Sequence, residues 1–411
     1  MKNFKDKLND YAQLTVKVGI NLQKGQPLVI SGPVEGAEFV RLIAKHAYDQ
    51  GASDVHINWA DDELKRMKYE NAPLEVFEDF PRWKADSMEY YAEKGAGFIS
   101  IHAQDPELLK GIDTQKIVAD NKAAGIATKT FRDYLMNDRN SWCVISIPST
   151  GWAKKVFPDL ASEEAIGKLW DRIFSATRID LEEPIKDWEE HLDIIKNNVD
   201  YLNDKAFRAL HFTSSNGTNL KVNLPKGHIW SGGYGQNEKG TNFVANIPTE
   251  EVYTMPHRSG VDGLVVNTKP FVYGGNLIDD FKIEFKDGKV VDYDAKIGKE
   301  YLKEMLNMDE GAKYLGEVAL VPHSSPISQA NTVFFNTLFD ENASCHLAFG
   351  KAYPTSIENG PSMSEDQLKD AGVNDSLIHE DFMIGSSDLS IIGIMEDGKE
   401  VQVFKDGEWA I

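Results

Sequence analysis

Apolar and polar positions in the first 200 residues alternate between helical and extended patterns. Residues 3–22 repeat apolar side chains at helical spacing, and PLVIS at 27–31 is a short apolar run suited to a buried strand. Further helical patterns follow at 35–50, about 77–94 and roughly 114–124, and strand-like segments at 54–59, 97–102 and 142–149. Strands separated by helices of this length predict a mostly parallel sheet with helices on both of its faces.

The second half of the chain has a different pattern. A helical segment at 162–204, split near Pro184, precedes the change. From residue 205 onward, extended segments are joined by short turn signals that predict hairpins. These signals are Asn216-Gly217, Asp287-Gly288, Asp397-Gly398 and Asp406-Gly407. The fold class is therefore α/β, with an N-terminal α/β domain at 1–205 and a C-terminal α+β domain, rich in antiparallel strands, at 206–411.

Length, charge and cysteine content narrow the class of protein. A chain of 411 residues exceeds what one hydrophobic core usually supports, which agrees with two domains. The net charge of -21 disfavours nucleic acid and anionic membrane as partners. Two cysteines, Cys143 and Cys345, cannot build a disulfide framework. The start of the chain lacks the apolar region of a signal peptide, and no apolar run approaches the roughly 20 residues of a membrane span, so we expect a cytoplasmic protein.

An acidic residue interrupts an otherwise apolar strand pattern at YLGEVALVP, 314–322. The strand period places Leu315, Glu317 and Ala319 on one face. Burying an unpaired carboxylate is costly, so Glu317 needs a cation or a metal ion if this strand is buried. An edge strand, or an ion pair with lysine or arginine, remains the alternative.

Two further segments carry imidazoles and carboxylates. Glu341, His346 and Tyr353 fall within a stretch rich in alanine and glycine, which lets a ligand approach the backbone closely. A thiol hydrolase built on Cys345 and His346 is disfavoured because adjacent strand residues point to opposite faces, so Cys345 is expected to be a packing residue.

The segment LIHEDFMIGS, 377–386, places two potential ligands on one face. His379 and Asp381 are two residues apart, and in an extended segment such positions share a face and can meet one cation. Glu380 would then face away and be solvated. In NIPTEEVYTMPHR, 246–258, Glu250 and Glu251 point to opposite sides, and the pattern alone does not choose between them.

These segments together supply carboxylates and imidazoles without thiolates. Such a set suits Zn, Co or Mn. More carboxylates than one tetrahedral site requires indicate two divalent metal ions, roughly 3.5–4 Å apart with one carboxylate bridging. The chain has no His-Glu-x-x-His motif, which disfavours a mononuclear zinc peptidase.

At these same segments the sequence resembles the aminopeptidase T and aminopeptidase S family of thermophilic-type metalloproteases. The likeness extends along the whole chain, and its most specific stretches are NIPTEEVYTMP, LGEVALV, FDENASCHLAFGKAYP and IHEDFMIGS, in this order. The resemblance implies a homodimeric exopeptidase that uses two metals to release N-terminal residues from peptide substrates. It also implies a set of metal ligands with Glu317 as the bridge: Glu251, Glu317, His346, His379 and Asp381.

Two more positions match active-site residues of that family. Glu341 is expected to act as a proton acceptor or as a further metal ligand, and Tyr353 to stabilise the tetrahedral oxyanion. Two other functions remain open from the sequence. One is a metal-dependent amidohydrolase acting on non-peptide amides, and the other is a non-catalytic two-domain ligand-binding protein.

Overall fold

The computed structural model describes residues 2–273 and 276–411, with the side chain of Val272 also left undescribed. Contacts divide the chain into two compact units. The first unit runs to His191 and also contains Tyr234–Pro248, whereas the second contains Leu192–Gly233 and Thr249–Ile411. The predicted boundary at residue 205 lies at the end of a long helix, while the contacts divide that helix near its first third.

The first half of the chain alternates helices and strands. A capping box at Asn3 starts the first helix, and a π-helical turn at Thr15–Gly19 follows it. The elements are α1 (Phe4–Leu14), β1 (Pro27–Pro33), α2 (Ala37–Asp49), β2 (Asp54–Ala60), α3 (Asp62–Asn71), α4 (Arg82–Glu93), β3 (Gly97–His102), α5 (Thr114–Ala127), α6 (Lys129–Met136), β4 (Trp142–Ser146), α7 (Thr150–Val156), α8 (Ser162–Ala176) and α9 (Pro184–Lys205).

The sheet of the first unit is parallel, as predicted. Its strand order is β2-β1-β3-β4, and every described pairing between these strands is parallel. Residues 234–248 belong to this unit because they bond to its last strand: the Val144 N–H donates to Ala245 O and the Ile247 N–H to Val144 O. Helices α3, α6 and α7 were not predicted. The sequence of α3 is mainly polar, and α6 and α7 are short, with eight and seven residues.

The second half of the chain is mainly antiparallel. The four predicted hairpin turns all join paired strands, which confirms those predictions. Its elements are β5 (Ala209–Thr213), β6 (Asn219–Asn223), β7 (Gly235–Gln236), β8 (Asn242–Phe243), β9 (Val252–Thr254), β10 (Val261–Val266), β11 (Phe271–Tyr273), β12 (Asn276–Lys286), β13 (Lys289–Ile297), α10 (Lys299–Leu306), β14 (Leu315–Leu320), α11 (Pro326–Gln329), α12 (Thr337–Asp340), β15 (His346–Gly350), α13 (Glu365–Asp370), β16 (His379–Met383), β17 (Ser390–Ile394), β18 (Glu400–Lys405) and β19 (Glu408–Trp409).

Two sheets of the second unit share one hydrophobic core. A nine-stranded sheet runs β11-β12-β10-β6-β5-β17-β18-β19 with β13 beside β12, and a four-stranded sheet runs β16-β15-β14-β9. Phe382 on β16 stacks on Phe349 of β15 at 4.5 Å and also meets Phe281 of β12 at 5.7 Å between ring centroids. One face of the four-stranded sheet therefore packs against the larger sheet, and its other face is available for a site. No helix in the described part of the chain is long and apolar enough to span a membrane.

Candidate metal centre

The non-core face of the four-stranded sheet collects the predicted ligands. Antiparallel partners share a face, and Glu317 is opposite Ala348, which is in turn opposite Asp381. His346 lies between Ala319 and Met383 on the same face, and His379 pairs with Gly350. Alanine and glycine at the intervening positions leave room between the four polar side chains.

A β-bulge sets the direction of Glu317. The register of β14 against β15 shifts between Leu315 and Glu317, so these two residues do not share a face. Leu315 belongs to the hydrophobic core, and the expectation that it shares a face with Glu317 was wrong. Glycine is required at the shifted position, because a Cβ on Gly316 would lie 2.3 Å from the carbonyl oxygen of Lys351.

The carboxylate of Glu317 lies between two pairs of side chains. Its Oε1 is 3.5 Å from His346 Nε2, and its Oε2 is 3.7 Å from His379 Nε2. Glu251 Oε2 lies 3.2 Å from His346 Nε2, and Asp381 Oδ1 lies 3.6 Å from His379 Nε2. Two groups of potential ligands therefore share Glu317: Glu251, Glu317 and His346 form one, and Glu317, His379 and Asp381 form the other.

Backbone carbonyls orient both imidazoles. The Nδ1–H of His346 donates to Ser344 O at 3.0 Å, and the Nδ1–H of His379 donates to Lys351 O at 2.7 Å. In the neutral tautomer, each Nε2 then presents its lone pair to the carboxylates. This is the arrangement by which proteins fix metal-binding histidines.

Burial and mutual repulsion perturb the ionisation of the whole cluster. Burial, together with the Asp381 and Glu251 charges, raises the pKa of Glu317 even though His346 opposes the shift. Burial alone would lower the pKa of His379, but Asp381 and Glu317 raise it to about 9. Glu251 and Glu317 likewise raise the pKa of His346 well above its usual value, although burial acts in the opposite direction. Burial would raise the pKa of Asp381, but His379 and His346 outweigh it and lower that pKa.

The cluster has the composition of a divalent cation site. Within the described residues, none of its carboxylates pairs with a lysine or an arginine. Asp381 Oδ1 is buried without a hydrogen-bond partner, an arrangement that is costly unless a cation lies nearby. Oxygen and imidazole donors at these distances therefore fit a divalent metal.

Glu341 and Tyr353 lie at the border of this cluster. Burial and the Glu251 and Asp381 charges raise the pKa of Glu341 well above its usual value. The Tyr353 ring is 4.9 Å from the His379 ring, and burial with the Glu317 charge raises the pKa of its hydroxyl. Both groups thus remain protonated more readily than in water and can hold or donate a proton at the centre.

A buried amide that the sequence did not single out connects two parts of the site. Asn342 is fully buried, and its Oδ1 accepts the Glu250 N–H at 2.7 Å. Its Nδ2 donates to Leu338 O at 3.0 Å and contacts Glu341 Oε1 at 3.4 Å. Of the two adjacent glutamates, Glu251 directs its carboxylate to His346, while the backbone of Glu250 is held by Asn342. An asparagine in a turn carries no sequence signal for this role.

Two neighbouring residues lie outside the polar cluster. Cys345 is part of the hydrophobic core, and burial raises the pKa of its thiol to about 12, which suits a packing residue. Glu380 lies on the opposite strand face to His379 and Asp381, as expected. It is half-buried rather than solvated, and burial with the Asp381 charge raises its pKa to about 7.

Comparisons with known proteins agree with this geometry. Residues 4–409 match the family of thermophilic metalloproteases (M29). The chain is 51% identical to "Aminopeptidase AmpS" of Bacillus subtilis (strain 168) over the full length of both, and 52% identical to "Aminopeptidase 2" of Geobacillus stearothermophilus over 100% of this chain and 99% of that one. The solved structure of wild-type AmpT from Thermus thermophilus superimposes with a TM-score of 0.93 at 39% identity, with both chains fully covered. A shared fold, a metal-type donor set and full-length similarity to aminopeptidases place this chain in the M29 family of thermophilic metalloproteases, as a metallo-aminopeptidase.

Proposed function

We propose that this protein hydrolyses N-terminal residues from peptides at a centre that holds two divalent ions. The proposed ligands are Glu251, Glu317, His346, His379 and Asp381. The observation that carries the proposal is the position of Glu317, whose two oxygens face different histidines at 3.5 and 3.7 Å. A carboxylate shared in this way can hold two ions at a fixed separation.

Zinc, cobalt or manganese in this centre would lower the pKa of a water molecule toward neutrality and polarise the carbonyl of the scissile bond. Glu341 is the proposed proton acceptor, because its buried carboxylate lies beside Glu251 and Asp381, whose charges favour its protonated form. The neutral Tyr353 hydroxyl donates a hydrogen bond to the oxyanion that develops on the substrate carbonyl. Asn342 supports this reaction by keeping the Glu341 turn and the Glu251 segment together.

Similarity to aminopeptidases supports a substrate with a free amino group. The relatives named above match this chain over its full length and are aminopeptidases. The charge of the site does not decide this point, because two divalent ions would offset the carboxylates of the cluster. The relatives therefore favour an aminopeptidase over an amidohydrolase acting on non-peptide amides.

Metal removal and reloading test the proposal. Dialysis against a chelator should abolish release of the N-terminal residue from a tripeptide, and titration with Zn, Co or Mn should restore it at two equivalents per chain. The N-acetylated tripeptide serves as the control and should not be cleaved. Full activity of protein shown to be metal-free, or equal cleavage of the acetylated peptide, would contradict the proposal.

We also propose that the protein acts as a cytoplasmic homodimer, on the resemblance to the aminopeptidase T and aminopeptidase S family. Light scattering at micromolar concentration should give a mass close to twice that of the 46.0 kDa chain. A mass near 46.0 kDa would refute the dimer without affecting the proposed chemistry.

A further inference from the structure

A large cleft lies in the first unit, at the carboxyl ends of its parallel strands. Its volume is about 1040 Å³, and residues from the ends of β1 and β3, such as Pro33 and His102, line it. In open α/β sheets, ligands bind outside the carboxyl ends of the strands where neighbouring connections diverge, which here is between β1 and β3. None of the residues assigned above to the metal centre lines this cleft.

The cleft is strongly acidic. Six carboxylates line it against a single guanidinium, that of Arg66: Glu35, Glu38, Asp62, Glu63, Glu70 and Asp105. The Arg66 guanidinium is already paired within the chain, because its Nε lies 2.8 Å from Glu70 Oε1 and its Nη1 donates to Leu108 O. Burial lowers the pKa of His102, so this imidazole adds no positive charge at neutral pH. The cleft therefore attracts cations.

Two of the helix starts beside the cleft are capped by side chains of the chain itself. Asp61 caps α3 by accepting the Leu64 N–H at 2.9 Å, and Ser149 caps α7 by accepting the Trp152 N–H at 3.2 Å. The Asp105 carboxyl packs so closely on α7 that a Cβ on Gly151 would lie 2.4 Å from it. At these two helix starts, a backbone N–H group of the kind that binds phosphate in many α/β proteins is thus occupied by a side-chain oxygen. The start of α2 at Gly36 has no such cap, but the carboxylates that line the cleft repel an anion such as a nucleotide.

Aromatic side chains line the cleft together with the carboxylates. The Trp59 side chain lines the cleft and remains 49% exposed, an unusual state for an indole. Phe39 and Trp170 line another part of the wall, with ring centroids 6.4 Å apart. Indole faces attract ammonium and guanidinium groups, and together with carboxylates they form a receptor for organic cations.

We propose that this cleft binds short, positively charged peptides, such as lysine-rich segments. The volume is at the upper end of ordinary ligand pockets and accommodates several residues. The carboxylates recognise the ammonium groups, and Trp59 contacts the aliphatic stems and charged ends of the side chains. This binding function goes beyond peptide hydrolysis and does not depend on the metal centre.

Calorimetric titration of the full-length, metal-loaded protein tests the proposal. The probe is acetyl-(Lys)4-amide, which has no free N-terminus, and its integrity is checked by mass spectrometry after each titration. We compare wild type with Trp59→Ala and with the double variant Glu35→Gln/Glu63→Gln, whose substituted side chains are all exposed. The matched control is Glu163→Gln/Glu164→Gln, which removes two exposed glutamates from the first turn of α8, outside the cleft.

The expected result is binding that weakens at least tenfold in Trp59→Ala and in the cleft double variant. The control pair should bind like wild type, and acetyl-(Glu)4-amide should not bind. Equal affinity of the cleft and control pairs, or absence of binding by wild type, would overturn the proposal. Spermidine binding as tightly as the peptide would overturn the assignment to peptides. Hydrolysis of a dipeptide should be unchanged in all variants. Peptide binding in the cleft is therefore tested independently of catalysis at the metal centre.

Discussion

Glu317→Gln is the most informative perturbation of the metal centre. Glutamine keeps the size of the side chain but offers one carbonyl oxygen and an NH2 group in place of two anionic oxygens. One of the two histidine-containing groups would therefore lose a ligand, and both would lose negative charge. We expect the variant to retain at most one metal per chain and to lose at least about a thousandfold in kcat, because the metal-activated water is lost.

The same substitution should affect stability in opposite directions with and without metal. Burial raises the pKa of Glu317, so its charge destabilises the folded metal-free protein above the usual glutamate pKa of 4.5, and this cost disappears below that pH. Metal-free Glu317→Gln should then be at least as stable as wild type at pH 7. Metal at 100 times its Kd stabilises a folded protein by about 2.7 kcal/mol, or roughly 5–10 °C in Tm for a domain of ~150–250 residues. Wild type should show this gain, and the variant much less of it.

Glu380→Gln is the matched control. Glu380 is a half-buried glutamate next to the same ligands but on the opposite strand face, and its pKa of about 7 means that glutamine replaces a group already half neutral. Metal content by mass spectrometry, kcat/KM and thermal midpoints are measured for both variants. Two metals and near-normal turnover in Glu317→Gln would refute the bridging assignment, and a similar loss in both variants would attribute the effect to general electrostatics.

Three further results are expected at the centre. Tyr353→Phe should lower kcat by about 100- to 1000-fold with two metals still bound, because it removes only the proposed oxyanion donor. Loss of metal from this variant would instead indicate that Tyr353 has a structural role. Asn342→Ala should weaken metal binding by about 10- to 100-fold, as loss of a residue that orients ligands does, and an unchanged affinity would refute this positioning role. Metal-free His379, with its pKa of about 9, is protonated at pH 7, so metal binding must release protons and strengthen as pH rises toward 9. Calorimetry in buffers of different ionisation enthalpy should detect this release, and its absence would contradict the raised pKa of His379.

Much of the fold could be predicted because its signals are local. The apolar run at β1 and the turn at Asn216-Gly217 each report their own structure within a few residues. Helix α5 was also predicted, although none of its residues is buried. Helix α3 was missed because most of its side chains are charged or polar, so its apolar period is weak. The return of residues 234–248 to the first unit depends on hydrogen bonds to β4, which no local pattern specifies.

The site was harder to predict from the sequence wherever it depends on contacts between residues that are far apart in the chain. The residue type and spacing of His379 and Asp381 sufficed to place them on one face, because the period of a strand is local. The choice between Glu250 and Glu251 required the position of His346 on another strand. Asn342 was missed because its partner, the Glu250 backbone, is 92 residues away.

Glu317 was singled out by a pattern that describes its surroundings incorrectly. The strand period placed it on an apolar face with Leu315, where burial in a core would demand a cation. The bulge at Gly316 instead separates the two residues, so that Leu315 enters the core while Glu317 joins a face occupied by Ala319 and Ala348. The requirement for a cation survives this correction, because its cause is the exclusion of water together with nearby carboxylates rather than contact with apolar side chains. A carboxylate inside a buried apolar strand therefore indicates the need for a nearby cation even when the register of that strand is unknown.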